Sequence, residues 1–427
     1  RSVVKWAESN VKLPGSAKSA SFDSSITPWN RVPLECLDDG VTRRLTFVKP
    51  IQSGGSVIGE VALCYWLATQ SSGDIQYNWE DDIKAAERWD KRIDRILKAT
   101  ASVMRRAPAM DTLEGRNKWK KGLVMFPHCN LTVQGVTAES NLDSDSIRFQ
   151  INEEIHNWEP GRLEMAYGRT TAFWNSFVLN ISNASKEGDQ LHQAYLAGTQ
   201  EVLEVHCPGC GGYHSMRTRW DEKRPDLGGL RYDSAKAKNE NGSYNYNVLA
   251  PTIRYQMPCG YMVRDDINER RSLSMSCRWS EPNNRNAPKS ERSFNYEAVS
   301  VDYIPWLSLI REKHDALRAL KFGDPKPWRD YRTRRECQFY NPEERPASKP
   351  IVLNLKARKS RSGLDGRFAR FFALDKQRGI AARGDGSHWW LVIRDVMPNG
   401  DSMLVYEGKI STDDEVLRIL KEHDCKM

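Results

Sequence analysis

The run Arg44-Leu45-Thr46-Phe47-Val48-Lys49 is apolar and β-branched and stops at Pro50, which predicts a short buried strand. A glycine turn, Ser53-Gly54-Gly55-Ser56, follows, and the apolar spacing from Val57 onward predicts a helix to about Thr69. Between 81 and 105, Ile83, Ala86, Trp89, Ile93, Ile96 and Leu97 recur at helical intervals with charges between them, the pattern of an amphipathic helix. β-like runs come next at 123–126, 131–133, 147–151 and 176–181. The third leads into Asn152-Glu153-Glu154 and the fourth into Ser182-Asn183-Ala184. Strands alternating with helices predict an α/β fold with a mainly parallel sheet over residues 41–200.

The flanking pattern differs. Residues 1–40 are polar and rich in Ser, Pro and Asp, and read as an N-terminal arm. Residues 201–290 carry a cysteine pair and two polar stretches, which predicts a small cysteine-containing insertion with long surface loops. Helical period returns at 301–320, closing a segment 291–330 that Lys326-Pro327-Trp328 is expected to stop. Residues 331–370 read as a basic linker, with Lys356, Arg358, Lys359, Arg361, Arg367 and Arg370 close together. Beyond it, 371–375, 389–394 and 403–406 read as strands opening a second, β-led domain over 371–427.

Composition narrows the class. The chain has 427 residues, room for two or three domains, and 39% apolar residues with 14 Trp exclude whole-chain disorder. Mean hydropathy is −0.67. The most apolar stretch, 57–68, is interrupted by Glu60 and is shorter than the about 20 residues a membrane span needs. With no span and no signal-peptide stretch, the expectation is a cytosolic protein, its N-terminus open to extension because the first residue is Arg1. Nine cysteines at uneven spacing do not make a disulfide scaffold. The net charge of +8 is compatible with a polyanionic partner without requiring one.

Four constellations carry chemistry. The strand–glycine turn–helix at 44–69 is the arrangement that aims a helix N-terminus and successive backbone N–H groups at phosphate. Gln52, Ser53, Gly54, Gly55 and Ser56 would form the turn, with the Ser56 hydroxyl available to Mg²⁺. Gly55 stands where a lysine usually does, which leaves Lys49 as the phosphate-binding cation. Glu153 and Glu154 at a strand end can divide Mg²⁺ binding and water activation between them. Cys207-Pro208-Gly209-Cys210-Gly211 is a C-x₂-C half-site for Zn²⁺, to which Cys259 adds a third thiolate. Gln256 stands where its C-x₂-C partner would be, and Cys277, His206 or His214 could complete four ligands. Asp375, at the end of a Phe- and Leu-rich strand, could ligate a divalent ion for phosphodiester cleavage.

Taken together these residues resemble the large terminase subunit of tailed double-stranded-DNA phages, in its lambda-like branch. Thr27-Pro28-Trp29 is similar to the family's lead-in, and Lys49-Pro50-Ile51-Gln52-Ser53-Gly54-Gly55-Ser56 to its phosphate loop. Glu153-Glu154-Ile155-His156 falls on its acidic motif, and Ile181-Ser182-Asn183-Ala184-Ser185 on its coupling segment. Ala86-Glu87-Arg88-Trp89 through Ile93 resembles the segment bearing a basic residue that acts on the nucleotide, with Arg88 and Arg92 as candidates. The knuckle at Cys207, the segment Ser293-Phe294-Asn295-Tyr296 and the later Gly323-Asp324-Pro325 match in order. Phe372-Ala373-Leu374-Asp375, with His388-Trp389-Trp390, resembles the start of an RNase H-like nuclease.

The resemblance implies a P-loop ATPase domain followed by the first strands of that nuclease, whose remaining acids would lie beyond Met427. It implies ATP with Mg²⁺ as cofactor. Glu153 would be on the magnesium side, Glu154 would be the catalytic carboxylate, and Asp375 would hold a nuclease Mg²⁺ or Mn²⁺. It further implies a DNA-packaging motor that cuts concatemers, working with double-stranded DNA, a small terminase subunit and a portal, as a homo-oligomeric ring. The place of action would be the cytoplasm of the infected host, with transient docking on the procapsid portal. Two other readings stay open: a helicase- or translocase-like P-loop ATPase without nuclease, and a catalytically degenerate DNA-binding assembly protein.

Overall fold

Apolar and β-branched residues alternate or run together in the segments that become strands, and in the computed structural model these are β1 Arg44–Val48, β2 Ile75–Trp79, β3 Trp119–Lys120, β4 Leu123–Met125, β5 Asn130–Gly135, β6 Phe149–Glu153 and β7 Phe177–Ser182. They continue as β8 Glu201–His206, β9 Tyr213–Ser215, β10 Gly229–Arg231, β11 Arg254–Gln256, β12 Met262–Arg264, β13 Arg278–Trp279 and β14 Glu291–Asn295, then β15 Ala369–Gln377, β16 His388–Val396 and β17 Ser402–Ile410. The structure describes residues 2–16, 18–143, 145–239, 243–341, 369–377, 388–396 and 402–425. They fall into two compact units, Arg1–Arg345 and Pro346–Met427.

In the first unit the main sheet runs β13-β8-β14-β1-β7-β6-β2-β5-β4-β3, with β9 paired to β8. The stretch β8-β14-β1-β7-β6-β2-β5 is parallel throughout. Strand β1 therefore lies between β14 and β7, and β6 is one strand further on. This order brings the loop after β1 and the acids at the end of β6 to the same edge of the sheet, the carboxyl ends where open α/β sheets bind ligands. The predicted helix is Val57–Thr69, buried along almost its whole length.

The strand β2 was not foreseen. Its sequence, Ile75-Gln76-Tyr77-Asn78-Trp79, is entirely buried, with Gln76 and Asn78 on the face opposite the aromatic rings. Their N–H groups are paired sideways, although Asn78 Oδ1 has no partner among the described residues: Asn78 donates to Asn152 at 2.9 Å, Asn152 to Asn180 at 3.0 Å, and Asn180 to Thr46 Oγ1 at 3.2 Å. Gln150 donates to Gln76 at 3.0 Å. A ladder of amides thus crosses β2, β6, β7 and β1, and it lets polar residues occupy a central parallel sheet that is otherwise apolar.

Other expectations are corrected. Residues 1–40 are not an arm: Val3–Asn10 and Arg31–Glu35 are helical, and Val3, Ala7, Val11, Trp29 and Leu34 belong to the main core. Their apolar stripe is hidden within a polar composition. The helix expected over 81–105 is interrupted, with Asp82–Arg88, a π-helical turn Trp89–Ile93 and Asp94–Ala99 followed by a separate turn Ala101–Met104. The insertion expected at 201–290 is not separate, because β8 and β13 extend the main sheet; only β10-β11-β12 form a sheet of their own. Lys326-Pro327-Trp328 opens a helix, Lys326–Arg334, since proline fits a first helical turn. Residues 331–341 belong to this unit, with Tyr331 and Cys337 buried, and Lys356, Arg358, Lys359, Arg361 and Arg367 of the expected linker lie outside the described residues.

The second unit contains the antiparallel sheet β15-β16-β17 with the helix Asp413–Glu422 against it, around Leu391, Ile393, Ile410, Val416 and Ile419. Arg370 is paired with Asp395 at 2.5 Å. Among the described residues no helix is long and apolar enough to cross a membrane.

Candidate functional site

The loop after β1 is gripped on every side. Its start is held as Lys49 N donates to Ser182 O at 2.9 Å and Asn183 Nδ2 donates to Lys49 O at 2.8 Å. Further along, Trp29 Nε1 donates to Ser53 O at 3.2 Å and Asn30 Nδ2 to Gly54 O at 3.0 Å. Ser53 Oγ donates to Pro50 O at 2.7 Å and accepts from Tyr296 OH at 2.7 Å, so this hydroxyl supports the loop from beneath. Gly54 has φ 73°, the left-handed conformation that favours glycine, and Gln52 shares it at φ 58°. Ser56 is the cap of Val57–Thr69, whose N-terminus faces a cavity of about 760 Å³. Lys49, Gly55, Ser56, Arg88, Glu154 and Arg334 are among the residues lining it.

Lys49 is only 5% exposed, and its Nζ lies 3.5 Å from Glu154 Oε1. Its stem passes over Gly55. A Cβ on residue 55 would sit 2.4 Å from Lys49 Cδ, closer than any real contact, so a bare glycine here is what allows Lys49 to cross the loop. The missing lysine at 55 and the lysine at 49 are thus one steric arrangement.

The two acids at the end of β6 differ sharply. Glu153 is buried, and its Oε1 accepts the Tyr77 hydroxyl. Burial pushes its carboxyl up to about 7. Its Oε2 is buried with no hydrogen-bond partner among the described residues, an oxygen suited to a magnesium ion or its water. Glu154 has a left-handed backbone, φ 55°, which turns it out of the strand. Burial would raise its carboxyl, but Lys49, His156 and Arg88 together hold it below the ordinary value. His156 Nδ1 lies 3.4 Å from Glu154 Oε2 and 3.2 Å from Ser182 Oγ, and burial lowers the imidazole's affinity for a proton.

Both arginines line the cavity, but with different partners. Arg92 makes a bidentate pair with Glu60, at 2.8 and 2.7 Å, and is committed to the helix behind the loop. Arg88 lies over the Trp79 ring, 4.7 Å from its centroid, at the cavity wall. Sequence reasoning passed over Tyr77 and Arg334. Tyr77 sits in the unforeseen strand, and Arg334 reaches the cavity because Ile51 N donates to its carbonyl at 2.9 Å.

Away from this cavity, the Cys207, Cys210 and Cys259 sulfurs lie within 4.8 Å of one another, the sole group of three metal-ligating residues among the described residues. Cys207 and Cys259 sulfurs are 3.4 Å apart, and Cys210 Sγ is 3.2 Å from His214 Nε2. Cys277 and His206 stand outside the trio, His206 packing its ring edge-on to Tyr213. Asp375 is exposed on β15 opposite Trp390 in β16.

No curated protein matches the sequence. Among solved structures, the HK97 bacteriophage large terminase is similar at 12% identity and TM-score 0.43, covering 99% of this chain and 71% of that one. The Thermus phage P74-26 large terminase ATPase domain is similar at 12% identity and TM-score 0.36, covering 71% of this chain and 91% of that one. The family model described as phage terminase large subunit gpA, ATPase domain, matches residues 16–245. That match spans more than half of the chain, and the protein therefore belongs to the phage terminase large subunit gpA family, with its ATPase domain over those residues.

Proposed function

We propose that this protein is the motor subunit of a phage DNA-packaging machine, coupling ATP hydrolysis at the 760 Å³ cavity to movement of double-stranded DNA into a procapsid. The observation that carries the proposal is the pair Lys49 Nζ–Glu154 Oε1 at 3.5 Å over a loop in which Gly55 leaves room for the lysine. Phosphate competes with Glu154 for the Lys49 ammonium. When ATP arrives, Lys49 and the backbone N–H groups around Gly54, Gly55 and Ser56 take the phosphates, and Glu154 is left to orient and deprotonate the attacking water. Glu153 and the Ser56 hydroxyl would hold Mg²⁺, which when bound neutralises charge developing on the phosphates. Tyr77 orients Glu153 by occupying one of its oxygens. Arg88 adds positive charge at the cavity wall, while Arg92 braces Glu60.

We further propose that Asp375 holds a divalent ion, Mg²⁺ or Mn²⁺, for a concatemer-cutting nuclease, and that Cys207, Cys210 and Cys259 hold Zn²⁺. The partners in this reading are the small terminase subunit, the portal and other copies of the chain in a ring, in the cytoplasm of the infected host. The test is ATP hydrolysis by the purified chain with and without double-stranded DNA, beside Lys49→Ala and Glu154→Gln. DNA-stimulated turnover lost in both variants supports the motor, and turnover unchanged in Lys49→Ala refutes the site. Metal-dependent DNA cleavage that survives Asp375→Asn refutes the nuclease assignment.

A further inference from the structure

The chain turns tightly twice near the edge of the main sheet. Between β8 and β9, Cys207 N donates to Gly212 O at 2.8 Å and Gly211 N to Cys207 O at 2.9 Å. Between β11 and β12, Met257 N donates to Tyr261 O and Gly260 N to Met257 O, both at 2.8 Å. The turns pack closely, because a Cβ on Gly209 would fall 2.6 Å from Tyr261 Cβ. Cys207 and Cys210 come from the first turn and Cys259 from the second, and their sulfurs converge.

Three thiolates leave one corner of a tetrahedron. The residue that would fill it by C-x₂-C symmetry is Gln256, but its side-chain oxygen accepts from Arg231 Nη1 on β10 at 2.8 Å. On the other side, β9 returns antiparallel to β8 with His214 opposite Val205, which brings Nε2 to 3.2 Å from Cys210 Sγ. Gly212 keeps this approach open, since a Cβ there would lie 3.3 Å from His214 Nε2.

The spacings suit a shared ion. Zn–S bonds of about 2.3 Å and Zn–N bonds of about 2.0 Å on a tetrahedron put two sulfurs about 3.8 Å apart, and a sulfur and an imidazole nitrogen about 3.5 Å apart. The 3.4 Å between the Cys207 and Cys259 sulfurs needs only slight expansion to receive the ion, whereas a disulfide would need them brought to about 2.05 Å. His214 Nε2 is 3.2 Å from Cys210 Sγ but outside the 4.8 Å group of the three sulfurs, so its ring must swing toward Cys207 and Cys259 to complete the tetrahedron. Soft thiolates with one imidazole select zinc over magnesium or calcium.

Resting on the reading of the three thiols as zinc ligands, we propose that His214 is the fourth ligand of a closed Cys₃His zinc site that clamps the β8–β9 hairpin of the main sheet to the β11–β12 turn of the small sheet. The ion is structural: with four protein ligands no position remains for water or substrate. It fastens the small sheet to β8, the second strand of the main sheet, which lies between β13 and β14.

The test is elemental analysis of the full chain purified from zinc-supplemented medium, with competition by a chromogenic chelator, beside His214→Ala, His206→Ala and Cys277→Ser. The expected result is one zinc per chain, released at least roughly tenfold more readily from His214→Ala and unchanged in the other two. Removing the zinc is also expected to raise amide hydrogen exchange in 207–215 and 254–264 above that around 49–56. Should His214→Ala fail to fold, His214→Cys with Co²⁺ replaces it: a shift of the cobalt spectrum from three-thiolate to four-thiolate character supports the site, and an unchanged spectrum overturns it. A chain without zinc overturns both the zinc reading and the fourth ligand, whereas zinc held equally well by His214→Ala overturns the fourth ligand alone.

Discussion

Alanine at Gly55 tests the shifted lysine most directly. Gly55 has no positive φ, unlike Gly54, so an alanine there meets no backbone strain and acts only through its methyl group. That methyl would lie 2.4 Å from Lys49 Cδ, 3.1 Å from its Cβ and 3.2 Å from its Cγ. Carbon atoms rest about 3.5–4.0 Å apart, so the lysine stem must move by roughly 1 Å in a place where it is nearly enclosed. Overpacking of this kind costs about 1–3 kcal/mol. Charged to the nucleotide-competent position of Lys49, that is roughly a five- to 150-fold loss of ATP affinity. Isothermal calorimetry with ATP on the purified chain measures it. Because both changes act on one group, Gly55→Ala added to Lys49→Ala is expected to cost little more than Lys49→Ala alone. In the Lys49→Ala background, Gly55→Lys is expected to regain part of the lost binding, since the space over residue 55 is then empty. ATP binding by Gly55→Ala within twofold of the parent refutes the steric argument.

The remaining predictions concern burial and anchoring. Glu153 titrates at about 7 in the folded chain, above its ordinary value of 4.5, so its ionisation opposes folding as pH rises through that window. In the metal-free chain, Glu153→Gln is expected to gain stability over the parent, little at pH 5 and up to about 3 kcal/mol at pH 8, read by urea unfolding. Asn152→Ala leaves buried amides of Asn78 and Asn180 without their partners at 2.9 and 3.0 Å, and a loss of roughly 2–5 kcal/mol in the same assay is expected. Asn30→Ala removes the 3.0 Å bond to Gly54 O, so a loss of about 1 kcal/mol with a raised KM for ATP is expected from thermal melts and steady-state kinetics.

The lessons of sequence and structure divide by element. The strand at 44–48, the glycine turn and the helix Val57–Thr69 are legible because local period and turn chemistry agree there. Glu153 and Glu154 are legible as an acid pair at a strand end. The different environments of the two are not, because they depend on Tyr77 from β2 and on Lys49 from the loop after β1. Strand β2 escaped notice because Gln76 and Asn78 look like surface residues until amides on β6 become their partners. Residues 1–40 looked like an arm because composition averages over a stripe as narrow as Val3, Ala7 and Val11.

By itself, then, the sequence determined the chemistry on offer: a lysine and a glycine turn between a strand and a helix, two adjacent acids at a strand end, and a C-x₂-C pair with Cys259 further along. Only the tertiary structure decided which groups meet. It set Lys49 over Gly55 and against Glu154, gave Ser53 to the loop's support, bound Arg92 to Glu60, and brought His214 to Cys210. The reason is physical. Propensity and period act over a few residues, whereas burial, steric room and hydrogen-bond partners come from segments far apart in the chain that the parallel sheet draws to one edge.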